Sequence, residues 1–397
     1  MGHGFIGHVI GRRDFIFAAT FASLNTGALK KSVRAHETPR IEILDTRVIS
    51  WKPPLYHGWP TLTRRANGEL LLVFSGGRET HICPFGRLEL MRSKDKGITW
   101  GWPQVLYDSP IDDRDAGVVE TAEGSLLVTT FTSLAYEEKL ARAEAALPGE
   151  PGAFADAKLV DEWRAVHHRL TPAERQNELG CYMLRSTDGG VTWSNRYRVP
   201  VNSPHGPVVV DKGRLLFAGK AIFADGRIGV CESRDDGLTW NWISTIPVRD
   251  GDAEENYHEL HLVQAADGRL ICHIRNENPQ DQNETLQSES EDGGFTWSTP
   301  HRIGVWGLPS HLLRIRDDRL LMSYGHRRQP MGNQVRVSSD NGKTWSDAII
   351  ISGDGVSGDL GYPTTVECED GTMVTVWYEV LANSPLAQLR QARWKWA

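Results

Sequence analysis

A short box, S-x-D-x-G-x-x-W, recurs five times along this chain and limits its fold more than any other feature. It reads Ser93-Asp95-Gly97-Trp100, Ser186-Asp188-Gly190-Trp193, Ser233-Asp235-Gly237-Trp240, Ser290-Asp292-Gly294-Trp297 and Ser338-Asp340-Gly342-Trp345. Four residue types kept at one spacing in five places mark an internal repeat, the pattern to settle before any element is assigned. The chemistry accounts for the spacing. An Asp after a strand accepts backbone N–H groups of its own turn, Gly supplies the positive φ the turn needs, and Trp packs back under it as the next strand starts. The boxes are therefore structural hairpin staples, and their Asp and Trp residues are set aside as candidates for chemistry.

A second signal precedes each hairpin: a strand, a turn with Asp-Gly or a similar pair, then an apolar strand. It appears at Pro60-Thr61-Leu62-Thr63 before Asn67-Gly68, Gly117-Val118-Val119 before Glu123-Gly124, and Pro207-Val208-Val209 before Lys212-Gly213. It returns at Leu260-His261-Leu262-Val263 before Asp267-Gly268, Leu312-Leu313-Arg314-Ile315 before Asp317-Asp318, and Thr364-Thr365-Val366 before Asp370-Gly371. Six units of about four short strands predict an all-β six-bladed propeller. Ile41 to Ile49 reads as a lone strand before the first unit and Leu386 to Trp396 as one after the last, so the two are expected to share a blade and close the ring. Between Leu134 and Leu184 the spacing breaks, and Tyr136–Arg142 and Val160–Val166 carry helical periodicity, predicting a small helical insertion at about 135–180 in the second blade. A lid beside a site and a surface decoration both fit it.

Composition narrows the function classes. A net charge of -7 excludes a phosphate-tracking surface and with it nucleic acid as a partner. The five cysteines lie apart without C-x-x-C pairs, so they are read as buried strand residues rather than a zinc site or a disulfide framework. Arg12-Arg13 followed by an apolar run through Ala28 has the order of a twin-arginine export signal and is too short to span a bilayer permanently. Residues 1–36 are thus expected to be an export signal leading to the periplasm or the exterior, with 37–397 forming the propeller. Oligomeric state has no signal in the sequence.

Boxes, six units and strand closure together resemble the sialidase superfamily of six-bladed propellers over residues 40 to 396. The resemblance implies a retaining exo-glycosidase with no cofactor, acting on a glycan that ends in sialic acid or a similar acidic sugar. Sialidases hold the sugar carboxylate with three arginines, use a Tyr activated by a Glu as nucleophile, and use an Asp as acid/base. A carboxylate favours planar bidentate donors, and a phenol with a pKa near 10 needs a base to attack at neutral pH. In this sequence Gly361-Tyr362-Pro363 is similar to the family's Gly-Tyr-Ser setting, which makes Tyr362 the candidate nucleophile. His258-Glu259-Leu260 and Arg275 match the family's Glu and second Arg in spacing, so Glu259 is the candidate base and Arg275 a carboxylate ligand.

Three places depart from that pattern. His57-Gly58-Trp59-Pro60 stands where sialidases have Phe-Arg-Ile-Pro, so His57 or Arg78 has to compensate. The loop after Arg78 offers Glu79 and His81 instead of an acid/base Asp, and Asp113, Arg114 and Asp115 at the head of the second unit are alternatives for that chemistry. The third arginine is missing near Gly332-Asn333-Gln334, where Arg327 and Arg328 lie close enough to reach the same pocket. Independently of the family, His57, His205, His258 and His311 each head an innermost strand and are expected to converge on the axis as a substrate-binding rim. Their long-range spacing is unlike any local metal motif, so no metal is assigned. Two other functions fit the same residues: a hydrolase or lyase on uronate-containing polysaccharide, and a non-catalytic carbohydrate-binding propeller.

Overall fold

The computed structural model describes residues 39–397 apart from 51–54, 147–148, 151, 153 and 155, and the expected export signal lies outside the described residues. Six four-stranded antiparallel sheets form the blades of a propeller. Their inner strands are Tyr56–Arg64, Asp112–Glu120, Val208–Val209, Tyr257–Gln264, Ser310–Arg314 and Leu360–Glu367. The third is shorter than the pattern predicts; prolines at 204 and 207 each remove a backbone donor from it. Blade 6 takes three strands from the C-terminal end and its outermost strand, Ile41–Val48, from the other end, pairing Ile41 with Trp396 and Val48 with Arg390. The ring closes as expected.

The core is a set of wedges between blades. In Leu70-Leu71-Leu72-Val73-Phe74 side chains alternate across the strand. Leu70, Leu72 and Phe74 pack against Val374, Val376 and Leu389 of blade 6, while Leu71 and Val73 pack against Val118, Leu126 and Val128 of blade 2. Such a strand is covered on both faces, which is why it is a continuous apolar run rather than an alternating one. All five cysteines are free and buried.

Each box works by hydrogen bonds that the four-letter motif only partly discloses. In the first, Ser93 Oγ donates to Asp95 Oδ1 and accepts from Gly97 N at 2.8 Å, while Asp95 accepts from Thr99 N at 2.8 Å and Thr99 Oγ1 at 2.6 Å. A threonine repeats this contact at 192, 239, 296 and 344. It occupies the same place in all five copies, a regularity visible in the sequence that the motif as read leaves out. Three of the tryptophans also reach the preceding blade: Trp100 Nε1 donates to Gln391 at 2.7 Å, Trp297 Nε1 to Ser244 at 3.1 Å and Trp345 Nε1 to Gln287 at 2.9 Å. The staples therefore join blades as well as hairpins.

Three helices, α1 (Tyr136–Ala145), α2 (Ala157–His167) and α3 (Pro172–Glu178), fill the insertion in blade 2. They pack Tyr136, Leu140 and Trp163 on Cys83 of the blade 1 loop. Among the described residues no helix is long and apolar enough to cross a membrane.

The histidine rim is not what the sequence suggests. His205 and His311 do reach the axis, but they meet His261 there, with ring centroids 4.7–5.3 Å apart, in a buried cluster. His57 packs instead on Phe74 with Nδ1 3.1 Å from Ser50 O, and His258 sits half-buried beside Glu277. Equivalent strand positions do not aim side chains alike, because local bulges change which face each residue points to. Burial holds His205 and His261 well below the ordinary imidazole pKa, His273 at about 4 and His311 at about 3. The unfolded chain binds protons at these sites below about pH 6.5 while the folded chain does not. Their contribution to stability is therefore present above that pH and lost as pH falls toward the folded values, at about 1.4 kcal/mol per unit per group. Urea unfolding from pH 7 to 4 is expected to show this decline, and His311→Leu to make it shallower.

Candidate active site

Four inner strands carry the same irregularity. Register skips between Gly58 and Thr61, Arg114 and Gly117, His258 and His261, and Gly361 and Thr364, each leaving two residues opposite one. The first residue of each bulge is left-handed: Trp59 at φ 51°, Asp115 at 45°, Glu259 at 43° and Tyr362 at 52°. In blade 3 Gly206, which precedes Pro207 as Trp59 precedes Pro60, has φ 74°. A left-handed residue in a bulge is ordinarily glycine, and a side chain there costs about 1–3 kcal/mol. Four such side chains at one end of the ring indicate a functional site maintained against strain.

Tyr362, Glu259 and Arg275 meet. The Tyr362 hydroxyl donates to Glu259 Oε1, Arg275 Nη1 donates to Glu259 Oε2 at 2.7 Å, and the same Nη1 lies 3.3 Å from the Tyr362 oxygen. Burial, then the Glu259 charge, push the phenol well above its ordinary pKa. Burial opposes ionisation of Glu259 too, but Arg275, the tyrosine hydrogen bond and Arg327 outweigh it and hold the carboxyl below its usual value. The resting pair is thus a neutral phenol donating to a carboxylate, the state a base-activated nucleophile requires. Arg275 also binds Glu277 Oε1 at 2.5 Å, so two carboxylates share its fork. Arg327 donates Nε to Leu360 O at 3.1 Å and its charge acts on Glu259, whereas Arg328 stacks on Trp306 at 3.7 Å.

Asp115 lies near this group. Burial first, then the Glu259 charge, raise its pKa to about 7 against the pull of Arg114 and Arg78. Arg114 covers Trp59 at 4.7 Å. Arg78 does not supply a substrate ligand from this position: it is fully buried, with Nη1 and Nη2 on Asp112 at 2.6 and 3.0 Å and Nη2 also on His81 O. Nor does Glu79 face Tyr362, since its Oε2 accepts from Trp163 Nε1 of α2 at 2.9 Å. Asp113 is buried and accepts from Ser109 N at 2.7 Å. The absence of an arginine at position 58 has a structural counterpart. A Cβ there would lie 2.9 Å from Tyr56 Cε1, so Tyr56 fills the space a longer side chain would need.

The sequence reading missed Asp359, Tyr56 and Tyr378. Asp359 Oδ1 accepts from Tyr56 at 3.0 Å, His81 Nδ1 at 3.0 Å and Tyr378 at 3.1 Å. Burial opposes its ionisation, but the bonds to His81, Tyr56 and Tyr378 hold its pKa below the ordinary value. The carboxylate accepts a hydrogen bond from His81 Nδ1–H and leaves Nε2 for other contacts. Tyr378 lies 5.8 Å from both the Tyr362 ring and the Trp59 ring, which joins this cluster to Tyr362. Asp359 precedes the Gly361-Tyr362 motif by only a few residues, and an acidic side chain that close to the candidate nucleophile was the available signal.

With this geometry, comparison with known proteins becomes informative. The BNR repeat-like domain family matches residues 162–376, more than half of the chain. The chain belongs to that family. A sialidase of Micromonospora viridifaciens is 24% identical to this BNR repeat-like chain over 349 residues, covering 79% of the chain and 48% of the sialidase. The chain thus spans about half the length of the curated relative it matches. Among solved structures, a Dyadobacter fermentans protein of unknown function superposes with TM-score 0.72 at 21% identity, covering 90% of this chain and 99% of its own. A Hadza microbial sialidase follows at TM-score 0.61 and 19% identity, covering 85% and 65%. The Trypanosoma rangeli sialidase bound to the inhibitor DANA gives 0.57 and 16%, covering 85% and 55%. These likenesses show the fold, a six-bladed propeller like those of the sialidases.

The packing at Gly58 can be tested directly. Gly58→Arg is expected to destabilise the fold by about 1–3 kcal/mol through overpacking against Tyr56, and by less in a Tyr56→Ala background. Denaturant midpoints of the single and double variants check this.

Proposed function

We propose that the chain is a retaining exo-glycosidase that removes a terminal acidic sugar, sialic acid or a close analogue, from glycans. The observation that carries this reading is the contact of Tyr362 with Glu259 beside Arg275, three residues from two distant parts of the chain. Tyr362 is the nucleophile, Glu259 takes its proton as it attacks, and Arg275 stabilises Glu259 and the developing phenolate. In this reading Arg275 and Arg327, whose charges both act on Glu259, take the substrate carboxylate. Likeness to the Trypanosoma rangeli sialidase, studied with 2,3-difluorosialic acid as a covalent intermediate, supports a two-step reaction.

His81 is the proton donor in this reading. In the doubly protonated ring Asp359 holds Nδ1–H while Nε2–H carries the proton given to the leaving group, and the side chain is 41% exposed. Asp115 keeps its proton up to about pH 7, which spares Glu259 a second negative neighbour. Above that pH Asp115 ionises, and its charge opposes formation of the Tyr362 phenolate.

Tyr362→Phe is expected to abolish release of the aryl group from an aryl sialoside with an unchanged melting temperature; retained turnover rejects the assignment. Asp359→Asn is expected to slow natural glycosides, whose leaving groups need a proton, by about 10²-fold or more while affecting activated aryl substrates less. Activity should fall as pH rises through about 7, and Asp115→Asn should flatten that fall. Mass detection of the released sugar from sialosides and uronate polysaccharides identifies the substrate, and an absorbance increase from an unsaturated product marks elimination instead of hydrolysis.

A further inference from the structure

The opposite end of the ring has its own opening. Inner strands run from the bulged residues toward Arg64, Arg314 and Glu367, and an axial cavity of about 490 Å³ enters between those strand ends. The buried cluster of His205, His261 and His311 lines it. We propose that this cavity binds a small hydroxylated carboxylate, such as a free sugar acid, with its hydroxyl groups on the imidazoles and its carboxylate at Arg314. This site is separate from the Tyr362 cluster and does not rest on the reaction proposed for it.

Hydrogen bonds assign the tautomers. Thr61 Oγ1 donates to Pro204 O at 2.9 Å, so at its 3.3 Å contact with His205 Nδ1 it accepts a proton from the ring. His205 Nε2 is then a buried lone pair with no partner among the described residues. His261 Nδ1 accepts from Leu312 N at 2.9 Å, so its Nε2 carries the hydrogen. His311 Nδ1 is also buried without a partner among the described residues. An unsatisfied acceptor beside a donor matches a hydroxyl group, which offers both functions, and repels a carboxylate oxygen, which only accepts. A metal ion does not fit, because no His, Cys, Asp or Glu group among the described residues has the spacing to hold one.

The rim places the charge. Arg64 pairs with Glu369 Oε1, and Arg316 Nη1 donates to Glu369 O, both at 2.5 Å. Arg314 is less engaged: its side chain is 41% exposed, 3.8 Å from Asp318 and 3.4 Å from Ala265 O. It is the guanidinium available to a carboxylate entering from solvent. The cavity volume falls within the range for small-molecule sites, and a monosaccharide fits it.

Calorimetry with D-glucuronate, with D-glucose and acetate as controls, tests the proposal. Glucuronate is expected to bind saturably, both controls about tenfold or more weakly, and Arg314→Ala to weaken glucuronate by about tenfold at an unchanged melting temperature. Because buried histidine variants risk misfolding, the ring signals of His205, His261 and His311 are followed by NMR in the unaltered chain and should shift on titration. Absence of binding, equal binding of glucose, or binding that survives Arg314→Ala and shifts His81 alone overturns the proposal.

Discussion

Antiparallel pairing of Ile41–Val48 with Ser384–Trp396 is the constraint on which the rest depends. Each blade buries both faces against its neighbours, so an open ring would expose two apolar surfaces and an unpaired sheet edge. Closure joins blade 6 to blade 1, and the wedge between them contains Tyr56, Trp59, Tyr362 and Tyr378. The aromatic part of the candidate active site is thus also the core at the ring's seam. Truncating any of these four rings disturbs the packing of the seam and the candidate site together.

The bulges convert that architecture into a site. A regular inner strand would send alternate side chains into the two neighbouring wedges, as Leu70 to Phe74 do. The extra residue in blades 1, 2, 4 and 6 breaks the alternation and gathers Trp59, Asp115, Glu259 and Tyr362 at one mouth. Since Tyr362 and Glu259 are both held left-handed, their contact is fixed by backbone geometry before any ligand arrives. Preorganisation of this sort removes the need to order the two groups during reaction.

The sequence disclosed the architecture well because its signals are local and repeated: box, turn and apolar strand recur within each blade. It disclosed Tyr362, Glu259 and Arg275 through a resemblance carried by short motifs at strand ends, and the structure brings those three together. The convergence of the four histidines was only partly legible, for a definite reason. His57 and His258 share strand-head positions with His205 and His311, but side-chain direction near a bulge depends on register, which no single strand's sequence states. Arg78 and Glu79 failed differently, because their partners Asp112 and Trp163 come from another blade and from the insertion. Asp359 was missed because its role comes from three donors spread along the chain, Tyr56, His81 and Tyr378.

The bond from Trp163 to Glu79 gives the insertion a meaning beyond decoration. Glu79 and His81 belong to one loop, and Cys83 of that loop is packed under α1 and α2. Rewriting those helices would leave all six blades untouched while moving the segment that holds His81 against Asp359. Variation in the added helices is thus a route to reshaping the mouth without disturbing the strands that carry Glu259, Arg275 and Tyr362.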